Sequence, residues 1–155
     1  MTHGPLSLPR IAGWRSSLTG AGSLGLWDYL GQEGGATLAV GFAGLFWPSF
    51  VEVRGCVLLS ERYDAATFEE WWAKLDGDVR GIEAVVNHVH LWDLFDPEAE
   101  RVPDEALVDL AEVLARCWRA ALADRYPGRS FDVAVTADEA EYGPTITISS
   151  TSAGS

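Results

Sequence analysis

The run Leu45-Phe46-Trp47-Pro48-Ser49-Phe50-Val51-Glu52-Val53-Arg54-Gly55-Cys56-Val57-Leu58-Leu59 is almost unbroken apolar sequence, interrupted by a proline, a glycine and one internal acid. Pro48 stops any helix that reaches it, because proline has no N–H to donate and its ring clashes with the preceding turn. Beyond it, Phe50–Arg54 and Cys56–Ser60 read as two strands, with Gly55 in or near a tight turn. So apolar a pair is expected to be the central strand pair of the fold, with Trp47 and Phe50 in the core. Glu52 sits between Val51 and Val53. On an edge strand it points to solvent; under a covering layer it would be a buried acid.

Upstream, Ala36 to Trp47 is apolar nearly all round, the pattern of a buried helix. Residues 11–35 are rich in Gly and Ser, with a short helix expected at Leu24–Gly31. Gly20-Ala21-Gly22-Ser23-Leu24-Gly25 matches the dinucleotide glycine pattern only nominally, since the strand and helix that must flank it are not evident. No cofactor is expected. Residues 1–10, with two prolines, read as a loose N-terminus.

Downstream, Asp64 is a good N-cap for a helix carrying Phe68, Trp71, Trp72 and Leu75 on its apolar positions, and Gly77 ends it. Asp78 caps the next helix. There Val79, Ile82, Val85, Val86, Val89 and Trp92 recur at three and four, which outweighs the strand-like alternation of His88, His90 and Trp92. Pro103 opens the longest helix, whose apolar face runs from Leu107 through Leu110, Leu114 and Trp118 to Leu122. Phe131–Thr136 and Thr145–Ser149 alternate as a second hairpin. Residues 11–150 therefore read as one α+β domain, and 151–155 as a frayed tail. The expected architecture has two layers: an antiparallel sheet built from two hairpins, covered by about three to four helices, with Trp92 and Trp118 packed near Trp47 and Phe50.

The blocks Leu45–Glu52, Ile82–Leu91 and Tyr142–Thr147 resemble a family of small uncharacterised bacterial proteins, over about residues 36–150. The resemblance implies a bacterial, intracellular protein and carries no catalytic residue with it.

The chain has 155 residues, 48% of them hydrophobic and 22% charged, as in an ordinary globular domain. Eleven basic residues against 23 acidic ones give a net charge of −12. That field repels a phosphate backbone, which argues against nucleic acid, and attracts a basic protein. No segment is long and apolar enough to span a membrane, so no membrane partner is expected. Cys56 and Cys117 lie inside apolar patterns without zinc-site spacing, so buried free thiols and a cytoplasmic home are expected.

Two surfaces stand out. Glu83, Asn87 and His90 follow one another at four and three and line one helical stripe. A carboxylate, an amide and an imidazole converging there would suit a metal or an acid/base pair if Glu52 or the Asp138–Glu141 loop supplied a further group. Trp71 and Trp72 are about 100° apart on a helix, so burying both needs broad cover. A tryptophan reaching solvent among Glu69, Glu70 and Asp76 would resemble a protein-binding hot spot. The leading expectation is a small acidic protein that binds another protein, as an immunity-type inhibitor of a basic toxin or nuclease or as an adaptor. The alternative is a small metal-dependent or acid/base enzyme working through Glu83, Asn87 and His90.

Overall fold

A computed structural model describes residues 4–18, 24–95, 102–137 and 143–151. The helices are α1 Pro9–Ser17, α2 Leu26–Glu33, α3 Ala36–Phe46, α4 Ala65–Lys74, α5 Val79–Val86, the short α6 Leu91–Leu94, and α7 Asp104–Arg125. The strands are β1 Phe50–Val53, β2 Cys56–Leu59, β3 His88–His90, β4 Phe131–Thr136 and β5 Thr145–Ser150. None of the described helices is long and apolar enough to cross a membrane.

The fold is α+β, with two antiparallel sheets: the hairpin β1-β2, and a three-stranded sheet in the order β3-β5-β4. Local chemistry explains several boundaries. Asp64 caps α4 by accepting the Thr67 amide at 2.8 Å, and that hydrogen bond holds its carboxyl below the usual carboxylate range. Arg54 and Gly55 turn the β1-β2 hairpin with φ of 49° and 84°. Positive φ at both central residues matches the right-handed twist of the strands it joins.

All four residues of β2 are buried. Val57 and Leu59 face a core with Leu114, Trp118, Leu122, Val133, Ile146 and Ile148. Cys56 and Leu58 face a second core with Phe68 and Ile82, lined by Trp71, Trp72, Val79 and Val86. The strand is thus a wall between two apolar compartments, as its unalternated sequence requires. Burial first, and then the Glu83 carboxylate, push the Cys56 thiol up to about 11. That favours the protonated thiol at neutral pH.

Several expectations are corrected. The helix from Asp78 ends at Val86, because His88–His90 pair with β5 in the register His88↔Thr147, Val89↔Ile146 and His90↔Thr145. The two hairpins do not merge into one sheet; β5 lies between β3 and β4, and among the described residues β2 pairs only with β1. Helix α3 is not buried. Every residue from Ala36 to Gly44 is exposed, and only Leu45 and Phe46 reach the core. Trp47 is 54% exposed rather than central. Trp118 is buried as expected, but its indole N–H donates to the Leu45 carbonyl at 2.8 Å. The Trp92 ring lies instead over Gly143, where any Cβ would fall 2.5 Å from it. The N-terminus holds a 3₁₀ turn at Pro5–Ser7 and then α1. Thr151 is tied back to the Ser130 carbonyl at 2.9 Å. The Asp138–Glu141 loop and residues 152–155 lie outside the described residues.

Candidate functional site

Helix α5 turns Glu83 and Asn87 inward, and both are fully buried. They meet the edge of β2 that β1 leaves unpaired, together with the facing edge of β5. Glu83 Oε1 accepts the Val57 amide at 2.8 Å and the Ser150 hydroxyl at 2.9 Å, while Oε2 accepts the Ser150 amide at 2.5 Å. Asn87 Oδ1 accepts the Leu59 amide at 2.9 Å, and its Nδ2 donates to the Val57 carbonyl at 2.9 Å and the Ile148 carbonyl at 3.3 Å. Buried backbone groups must find partners, and here side chains provide what a neighbouring strand would otherwise give.

The residue types follow from this duty. The seam presents two amide donors at position 83, which calls for a group that only accepts. It presents a donor and two carbonyls at position 87, which calls for an amide. Arg129 closes the solvent end: its guanidinium donates to the Gly55 carbonyl at 2.8 Å and to Ser150 Oγ at 3.0 Å, and lies 3.6 Å from Glu83 and 3.5 Å from Glu52. Glu52 is exposed, the edge-strand outcome.

His90 does not join Glu83 and Asn87. On β3 it shares a face with His88, the rings 4.7 Å apart and nearly perpendicular, and His88 Nδ1 hydrogen-bonds Thr147 Oγ1 at 2.8 Å. The HxH pair is therefore side by side, as only an extended backbone allows. A zinc site takes three or four donors. Among the described residues no group of three or more His, Cys, Asp or Glu side chains is arranged for a metal.

Trp71 and Trp72 are both half-buried on α4 and pack against the second core. Each carries a cation over its ring: Lys74 Nζ lies 4.4 Å from the Trp71 centroid, and the Arg54 guanidinium 4.9 Å from that of Trp72. Arg54 is also held by Glu69 at 2.9 Å. Around them, Glu61, Asp64, Glu69, Glu70, Asp76 and Asp78 are all exposed, six acids against Arg62 and Lys74 between residues 61 and 78. This face pairs π-surfaces with a local excess of negative charge, the combination that attracts cationic side chains.

Sequence reasoning missed the other prominent surface. Trp27 is 89% exposed, and Leu30, Leu38, Val40, Phe42 and Leu94 are exposed as well. The signal is the apolarity of Ala36–Trp47, which fits an uncovered helix as well as a buried one.

No family model, no curated protein and no solved structure matches this chain.

Proposed function

We propose that the protein works by binding a basic protein segment on the α4 face. The observation that carries this reading is the pair of half-buried indoles, each already covered by a cation, inside a cluster of exposed acids. A partner's arginine could take the place of Lys74 over Trp71, gaining cation–π contact while the surrounding carboxylates speed its approach. The net charge of −12 works in the same direction at long range. An immunity-type inhibitor of a basic toxin or nuclease is the concrete form of this reading, and an adaptor the broader one. The acid/base alternative has less support, because the polar atoms of Glu83 and Asn87 are occupied by backbone groups and His90 lies apart from them.

A short arginine-rich peptide is the direct probe, followed by tryptophan fluorescence. Its affinity should fall at least about tenfold between roughly 50 and 300 mM salt, because rim charges are screened at that ionic strength. Trp71→Ala should weaken binding about tenfold, as loss of a hot-spot aromatic does, and should also cost about 1–3 kcal/mol of stability through its lost packing on the second core, so binding is compared on protein held well below its unfolding transition. A charge-only control, Asp104→Asn with Glu105→Gln on α7, should leave affinity within about twofold. Equal binding by the parent and Trp71→Ala, or binding lost equally in the α7 control, would reduce the interaction to unspecific attraction and overturn the reading.

A further inference from the structure

The two indoles of α4 are covered in different ways. Trp72 is boxed in: the Phe68 ring lies 5.8 Å away, and a Cβ on Gly77 would fall 3.1 Å from the indole. The Arg54 guanidinium over it sits in the β1-β2 turn and is held a second time, by Glu69 at 2.9 Å. Trp71 is covered more loosely. Its cation is Lys74, three residues further along the same helix, with Nζ 4.4 Å from the ring centroid. Lys74 is exposed, is the last residue of α4, and among the described residues makes no ion pair. Glu70 stands four residues before it, the spacing and order that favour a helical ion pair, yet the ammonium lies over the ring instead. A long exposed side chain changes rotamer within nanoseconds. Lys74 therefore has two places to go, one covering Trp71 and one beside Glu70.

We propose that Lys74 is an autoinhibitory contact: its ammonium occupies the Trp71 face that a partner's cation takes, and binding displaces it toward Glu70. This rests on the proposed role of α4 as the binding face, and adds what sets the affinity of that face. The device needs one fixed cation and one exchangeable cation, and the two indoles supply them. Arg54 keeps Trp72 closed, while Lys74 leaves Trp71 open for part of the time. A cation–π contact at an exposed site covers its ring for about 70–85% of the time. A partner meets only the open remainder, so removing the ammonium should raise its affinity about 3–6-fold.

Lys74 is the chain's only lysine, so isotope labelling of lysine reports on this side chain alone. In the free protein its ε-methylene protons should resonate upfield of those in an unstructured lysine peptide, because the indole ring current shields them. Adding the arginine-rich peptide should move them back toward the unstructured position. By calorimetry, Lys74→Ala should bind that peptide about 3–6-fold more tightly than the parent, with unchanged circular dichroism. Arg80→Ala removes the same charge from an exposed position on α5, and should change affinity less than about twofold. Lys74→Arg keeps a cation over the ring and should bind no more tightly than the parent. Lysine protons at the unstructured position in the free protein, protons that the bound peptide leaves unmoved, or equal gains in Lys74→Ala and Arg80→Ala would each overturn the autoinhibitory contact while leaving α4 as the binding face. If neither the parent nor Lys74→Ala binds the peptide, both fall together.

Discussion

Replacing Glu83 by alanine should lower the free energy of unfolding by about 3–5 kcal/mol, the usual cost of removing one member of a buried, hydrogen-bonded charged group. The variant leaves the buried Val57 amide and the half-buried Ser150 amide without their acceptors. The guanidinium of Arg129 also loses its buried counter-charge. Each orphaned amide alone costs about 1–3 kcal/mol. Glu83→Gln separates shape from chemistry: it keeps the volume but turns one acceptor into a donor, so one of the two backbone amides meets an N–H. It should fall between alanine and the parent. Asn87→Asp is the reverse experiment, placing an oxygen against the Val57 and Ile148 carbonyls, and it too should destabilise by about 2 kcal/mol or more. Urea melts with comparable m-values would read all three. A Glu83→Gln protein as stable as the parent would mean that the seam does not need an acceptor-only group, and that Glu83 is kept for some other purpose.

Trp118→Ala should be as damaging, about 3–5 kcal/mol. The ring is only 2% exposed, it lies in the main core, and its N–H helps tie the end of α3 to the domain. Against a total stability of about 5–15 kcal/mol, that loss threatens folding at 37 °C. Trp47→Ala, with the larger part of its ring in water, should cost less than about 1 kcal/mol. The contrast between the two tryptophans decides where the core lies. A Trp47 variant less stable than the Trp118 variant would place it at the end of α3 and not on the inner face of α7.

What the sequence made readable was local. Asp64 before α4 and Pro103 before α7 mark helix starts because capping chemistry lies within one turn of the residue that needs it. The one-sided apolar spacing of α7 is likewise settled within the helix. At Asn87–His90 both periods fit the same letters, and the decision came from Thr145–Thr147, a distant strand offering an open edge. The Glu83/Asn87 stripe was visible as a four-residue spacing, but its targets were not. They are backbone atoms, and a sequence does not display which strand edge is left unpaired. Helix α3 failed for a different reason. Apolarity says that water is unfavourable there, without saying whether the cover comes from the same chain.

The position of β2 between two apolar compartments has a further consequence for how substitutions combine. Cys56 and Val57 point to opposite sides and share no contact, yet both hold the same four-residue backbone in place. A smaller side chain on one side lets the strand shift toward the gap, and that shift withdraws support from the other side. Cys56→Ala and Val57→Ala should therefore be coupled by about 0.5 kcal/mol or more in a double-mutant cycle, although residues without shared contacts usually add. Additive values would show a strand held rigidly by its ladder to β1 and by α5. Measurable coupling would show that this wall passes strain from one compartment to the other, so that neither can drift in sequence without regard to its neighbour.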